Sequence, residues 1–394
     1  MYDFSSCPDR ENSGSAKWAA MKKVAPQISS DIIPLSVADM ELPTAPEIIS
    51  GLQDYLSGAV LGYTIPTNEY LQAVCGWMLR RHEFEISPEW IVSSPGVVPA
   101  IFNSIRSYTK KGDGVIVMTP VYYPFYRAIT ENKRRIVKNP LLHTGSTYHI
   151  NFDDLEQKAR SEQNKLLILC SPHNPVGRIW TNEELQRVAD ICLKNNVLVI
   201  ADEIHSDIIM PGHRHTVFAT LSEDAADNCL ICTAPSKTFN LAGLQVSNII
   251  IKNDLIRRKF IKTAVKAGYG TLNVLGYKAC EIAYTKCEAW LEQLLKLIDG
   301  NRKLCENFME KNIPQIKITK LEGTYLQWWD CRKLNMEKNE LESFMTKKAS
   351  LFFDEGYIFG KEGEGYERIN LACPAKALDS ALLRLKNALS VKSK

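Results

Sequence analysis

Between about residues 88 and 285, short apolar runs alternate with stretches whose apolar positions recur at helical spacing. Gly114-Val-Ile-Val-Met-Thr, Lys165-Leu-Leu-Ile-Leu-Cys-Ser, Val197-Leu-Val-Ile-Ala-Asp and Cys229-Leu-Ile-Cys-Thr carry almost no polar interruption. Runs of that length without alternation are strands covered on both faces. Between two of them, Asn182 to Lys194 spaces Leu185, Val188, Ala189, Ile191 and Cys192 along one helical face, with Thr181 as its cap. The alternation predicts an α/β fold with a mainly parallel central sheet flanked by helices. Ligands of such sheets bind beyond the carboxyl ends of the strands, so the residues closing each run are the ones to inspect.

After Gly276 the pattern changes. Tyr277 to Glu310 reads as one long helical stretch, followed by strand-like Ile316-Lys-Ile-Thr and Tyr325-Leu-Gln-Trp-Trp, then Glu367-Arg-Ile-Asn-Leu-Ala after a glycine-rich turn. This is the pattern of a smaller α+β domain. A chain of 394 residues also exceeds what one hydrophobic core usually supports. The expected division is an N-terminal segment, 1–45, packing with the small domain, a large domain over 46–285, and a small C-terminal domain over 286–394.

Charge changes the picture little. A net charge of +3, with no long basic or acidic run, argues against a nucleic-acid or membrane-surface binder. No basic region followed by an apolar one opens the chain, and no stretch has the unbroken apolar length of a membrane span. The eleven cysteines form an odd set scattered through apolar segments, which fits reduced thiols and a cytoplasmic location. Cys229 and Cys232 form a lone C-x-x-C inside a strand pattern, and His205, His213 and His215 lack a closed ligand set, so no metal site is expected. His213 and His215 are expected to be solvated loop residues.

Five run-closing segments carry candidate chemistry. Ser94-Pro-Gly-Val-Val-Pro-Ala turns through Gly96 into a helical stretch, offering free N–H groups to a phosphate. Pro120-Val-Tyr-Tyr-Pro-Phe puts Tyr122 and Tyr123 where a ring could stack on a flat heterocycle, although core packing explains either equally well. Ser171-Pro-His-Asn-Pro-Val-Gly presents the Asn174 amide from a proline-stiffened loop, which a simple turn would also use. Asp202 closes a buried run and needs a partner, either a structural arginine or a protonated ring nitrogen. Lys237, in Ala234-Pro-Ser-Lys-Thr-Phe-Asn, is either an ion-pair residue or a desolvated amine suited to a Schiff base.

Taken together, and with Val37-Ala-Asp-Met near the N-terminus, the five segments resemble the fold-type I enzymes that use pyridoxal 5'-phosphate (PLP), the aminotransferase class I/II superfamily. Within it the chain is most similar to the cystathionine β-lyase-like C–S lyases. The resemblance implies PLP as cofactor and Lys237 as its Schiff-base lysine and the base at the substrate Cα. It implies Asp202 on the pyridine nitrogen, Asn174 on the ring phenolate, Tyr122 stacked on the ring, and Gly96, Val97, Val98 and Ser236 around the phosphate. His205 stands near the ring, Arg368 grips the substrate α-carboxylate with Tyr123 beside it, and Tyr63 reaches the phosphate of a partner subunit in a homodimer.

The same resemblance implies α,β-elimination of L-cystathionine or a related cysteine thioether to pyruvate, ammonia and a thiol. Gln245 and His205 stand where many aminotransferases have an arginine and a tyrosine, and both look like the lyase subgroup. Ala375 departs from the lyases, many of which have arginine after the final Cys-Pro. The rival within enzymes is an aminotransferase acting on an amino acid and a 2-oxo acid. From another class, the rival is a binding protein using the fold without turnover, against which the set Lys237, Asp202 and Arg368 argues.

Overall fold

The computed structural model describes residues 2–29 and 31–392. Seven strands form the central sheet: β1 (Ile91–Ser94), β2 (Gly114–Thr119), β3 (Arg135–Pro140), β4 (Asn164–Cys170), β5 (Leu198–Asp202), β6 (Cys229–Thr233) and β7 (Ser247–Ile250). Their order is β1-β7-β6-β5-β4-β2-β3. All neighbouring pairs among β2 to β6 are parallel, whereas β7 runs antiparallel to both β1 and β6. Every residue of β2 and β6 is buried, as expected of strands sandwiched between helices. Six strands therefore end at one edge of the sheet, and β7 begins there.

Local sequence explains the scaffolding. Helix Asn182–Lys194 starts in a capping box in which Thr181 accepts from the Glu184 N–H while Glu184 accepts from the Thr181 N–H. Glu184 also accepts two hydrogen bonds from Arg178 Nη2, at 2.9 and 2.7 Å, and Glu322 takes Arg178 Nη1 at 3.1 Å. The loop after β4 is thereby bolted to a helix on one side and to the C-terminal region on the other. Its His173 is buried, and desolvation lowers the imidazole to about 4. The ring is consequently neutral and donates from Nε2 to the Pro120 carbonyl at 2.8 Å, joining the loops after β4 and β2.

A second sheet has the order β8-β9-β11-β10, with β8 (Lys317–Ile318), β9 (Leu326–Asp330), β10 (Asp354–Glu355) and β11 (Tyr366–Asn370), all antiparallel. Residues 35–41 run beside it: Leu35 N–H bonds Phe352 O, Asn370 N–H bonds Leu35 O, and Glu41 N–H bonds Ala372 O. The single helix expected over 277–310 is two, Val274–Lys286 and Glu288–Asn312, because Cys287 leaves helical geometry at φ −108° and ψ 16°. His215 is not solvated: it is buried, with Nε2 3.0 Å from Glu203 Oε2. Among the described residues no helix is long and apolar enough to cross a membrane.

Candidate active site

The common edge of the sheet opens on a cavity of about 190 Å³. Gly96, Val97 and Val98 enter it from the turn after β1, Tyr122 from the loop after β2, and Asn174 from the loop after β4. Asp202 and His205 come from the end of β5, Ser236 and Lys237 from the short helix after β6, and Gln245 from the approach to β7. A wider cleft of about 400 Å³ lies around Arg81, His82, Asp207 and His215, but those four are paired with one another or with near neighbours. The smaller cavity holds a buried carboxylate without an ion pair.

The residue is Asp202. Its carboxylate is 4% exposed and accepts one long hydrogen bond, from Ile204 N–H at 3.3 Å. Among the described residues no arginine or lysine forms an ion pair with it, so the structural-arginine alternative falls away. Desolvation pushes the carboxyl up to about 7, against the Ile204 N–H and the more distant Lys237, which both favour the charged form. A cationic N–H donor brought to Asp202 would restore an ordinary carboxylate.

Lys237 donates from Nζ to the carbonyl of Ala38 at 2.6 Å. Burial lowers its amine to about 8, the Arg368 charge adds to the effect, and Asp39 and Asp202 oppose it. An amine with that value has a far larger neutral, nucleophilic fraction near neutral pH than an ordinary lysine. His205 is buried edge-on to Tyr325, with ring centroids 5.9 Å apart, and its Nδ1 has no partner. Desolvation holds the imidazole well below its usual range, so it faces the cavity uncharged.

Gly96 sits at φ 127°, a conformation that favours glycine, and opens helix Val97–Tyr108 without a side-chain cap. The first N–H groups of that helix remain available to an anion at the cavity wall. Arg368, 2% exposed, donates from Nη1 to Asn174 Oδ1 at 2.8 Å and from Nη2 to Asp354 Oδ2 at 2.5 Å. Because a guanidinium only donates, the Asn174 oxygen must face it, and the amide NH2 is the end left for the cavity. Tyr122, half-buried, has its N–H bound to Asn174 O at 3.1 Å. The unpaired Asp202, the lowered Lys237 amine, the orphaned His205 nitrogen and the uncapped helix fit PLP, a planar cationic ring bearing an aldehyde and a phosphate.

Three expected residues do not line this cavity within the chain: Arg368 is buried behind Asn174, and Tyr63 and Tyr123 lie at the surface. Tyr63 stands wholly in solvent between exposed Leu61 and Ile65. Tyr123 is 42% exposed and packs on Tyr122 and Phe359 rather than lining the cavity. Conversely, the Ala38 carbonyl and Asp354 were given no role by sequence reasoning. Ala38 lies in a segment singled out only by resemblance. Asp354 closes the apolar run Leu351-Phe-Phe just as Asp202 closes its own, a signal that was there to be used.

Comparison with known proteins agrees with this geometry. Cystathionine β-lyase PatB of Bacillus subtilis (strain 168) is 42% identical over 361 residues, covering 92% of this chain and 93% of that protein. Protein MalY of Escherichia coli (strain K12) is 31% identical, with 99% of each chain covered. The crystal structure of cystalysin from Treponema denticola, which contains a pyridoxal 5'-phosphate cofactor, superposes with a TM-score of 0.98 over 100% of both chains, at 49% identity. The model of the aminotransferase class I and II family matches residues 30–385, nearly the full length, and the chain belongs to that family.

Proposed function

We propose that this protein is a PLP-dependent C–S lyase that eliminates a thiol from L-cystathionine or a related cysteine thioether. The observation that carries the reading is that buried Asp202, with no ion-pair partner, and Lys237, with its amine lowered to about 8, line one cavity. The lyase name of the relative at 42% identity supports the reaction class, and the cofactor in the structure at 49% identity supports PLP. When bound, PLP supplies an electron-withdrawing ring that stabilises negative charge at the substrate Cα.

The chain's residues do the rest. Lys237 would hold the cofactor through its amine and, as a neutral base, would take the proton from the substrate Cα. Asp202 keeps a proton on the ring nitrogen. Asn174 would donate its NH2 to the cofactor's ring oxygen, and neutral His205 and Tyr122 would line the ring's site. The N–H groups of Val97 and Val98, with the Ser236 hydroxyl and the room left by Gly96, hold the phosphate. Arg368 grips the substrate carboxylate through its fork, with Tyr123 at the entrance. The active unit is a homodimer in which Tyr63 completes the partner's phosphate site, and the exposure of Val60, Leu61, Tyr63 and Ile65 together supports such a contact. The eleven free cysteines support a reducing, cytoplasmic location, and the division at 1–45, 46–285 and 286–394 remains our reading of the domains.

The test is a comparison of two substrates. L-cystathionine and water should give homocysteine, pyruvate and ammonia, while L-aspartate with 2-oxoglutarate should give little glutamate. Fast glutamate formation, with no pyruvate from any cysteine thioether, would assign the chain to the aminotransferase reading that its family also allows.

A further inference from the structure

One oxygen of Asp354 serves two groups from opposite ends of the chain. Asp354 Oδ2 accepts from Arg368 Nη2 at 2.5 Å and from the Val37 N–H at 2.8 Å. The carboxylate is buried and lies directly across the sheet from Arg368, in register between β10 and β11. Val37 is itself unusual: a β-branched residue at φ 52°, in the left-handed region that such side chains avoid. Strain of that kind persists only where surrounding contacts hold it. Here Asp354 takes the Val37 N–H, and Asn370 Nδ2 donates to Val37 O at 2.7 Å and Asp39 O at 2.6 Å. The next carbonyl, that of Ala38, accepts from both Lys237 Nζ at 2.6 Å and the Tyr325 hydroxyl at 3.0 Å.

We propose that Asp354 is a positioning residue: it aims the Arg368 fork at the substrate carboxylate and ties that fork to the strained Val37–Ala38 turn that holds the Lys237 amine. Resting on the reading of Arg368 as the carboxylate grip, this adds what sets that grip. Arg368 has three fixed attachments, Asn174 on one nitrogen, Asp354 on another and the Phe359 ring 4.7 Å from its central carbon. Asp354 is the only anion among them. It neutralises a buried guanidinium before substrate arrives and fixes its plane. Without it the guanidinium can swing, and the Val37 N–H loses its acceptor.

The cofactor-loaded enzyme and its Asp354→Ala, Asp354→Asn and Arg368→Ala variants test this with two probes. L-alanine carries the amine and the carboxylate but no leaving group, and ethylamine is the same molecule without the carboxylate; each is titrated through the change in visible absorption. In Asp354→Ala, L-alanine affinity should fall about 30-fold while ethylamine affinity stays within about twofold, and the loss with L-cystathionine should appear mainly in KM rather than kcat. Asp354→Asn keeps an acceptor for Val37 without the charge, so it should recover part of that loss. It also serves if the alanine variant does not fold. L-alanine affinity and KM unchanged in both Asp354 variants, with Arg368→Ala impaired, would overturn the proposal and leave the carboxylate grip standing. Equal affinity of the wild type for L-alanine and ethylamine would overturn the grip itself, and the proposal with it.

Discussion

Replacing Asp202 by asparagine alters the charge of the site while nearly conserving its shape, and its effect on the cofactor-free protein follows from one number. In the fold the carboxyl sits at about 7 against a reference of 3.8, because burial opposes ionisation and outweighs both the Ile204 N–H and the more distant Lys237. Between those values the native state binds a proton that the unfolded chain has released. Stability must therefore fall as pH rises through that window. At about 1.4 kcal/mol per unit, the cost at pH 8 is on the order of 4 kcal/mol, a large share of a typical folding free energy. Asparagine cannot ionise and escapes the cost. Urea unfolding of both cofactor-free proteins should show nearly equal stability at pH 4 and a gap favouring Asp202→Asn that widens to about 4 kcal/mol at pH 8. Loading the cofactor should close or reverse the gap, since the wild-type carboxylate then has its partner, and the variant should eliminate about 10²–10³-fold more slowly. A gap that does not change with pH, or one that widens on loading, would refute the assignment of Asp202 as an unpaired buried carboxylate awaiting a cationic ring nitrogen.

Further expectations concern the other walls of the cavity. Because burial lowers the Lys237 amine to about 8, its rate of covalent capture of added PLP should climb with pH below 8 and level off above it; a climb continuing toward 10.5 in stopped-flow traces would contradict the desolvated amine. Gly96→Ala should cost about 1–2 kcal/mol, since the added Cβ has room, 3.4 Å from Pro99 Cδ, but the backbone at φ 127° disfavours it. That variant should also bind PLP more weakly by equilibrium dialysis, and normal affinity would separate the turn from the phosphate. If Tyr63 acts across a dimer, a mixture of Tyr63→Ala and Lys237→Ala chains, each nearly inactive alone, should regain up to about a quarter of wild-type activity as heterodimers form, and no regain after verified exchange would place Tyr63 outside the site.

What could be read in advance and what could not divide along physical lines. Strands β2, β4, β5 and β6 were legible because burial on both faces leaves unbroken apolar runs, and the residues closing those runs became the cavity wall. The Thr181 cap was legible because capping is a local affair of a few residues. Less accessible were features that depend on long-range packing. Nothing in Ser36-Val37-Ala38 announces a left-handed valine, since the contacts that hold it come from Asp354 and Asn370, far along the chain. Cys287 breaks a helix that composition alone would continue, and His215 looked solvated until Glu203, at the end of β5, was seen to meet it. Tyr63 carries the opposite lesson: a residue assigned by resemblance stands in open solvent in one chain.

Strand β7 is the only member of the central sheet to run against the others, and that reversal determines how the lysine is held. A parallel return from β6 would have carried the chain to the far edge of the sheet through a crossover of a dozen residues or more. Instead the thirteen residues 234–246 leave β6 and enter β7 at the same edge, so the segment bearing Lys237 is a bridge anchored at both feet in neighbouring strands. Both feet, Ala234 at one end and Val246 at the other, are buried. The span can bow toward a substrate and settle back, but it cannot wander. An insertion here would lengthen the bridge and loosen the amine, whereas one of equal length after Lys194, in the helix-to-strand turn at the opposite edge, would leave the span as it is.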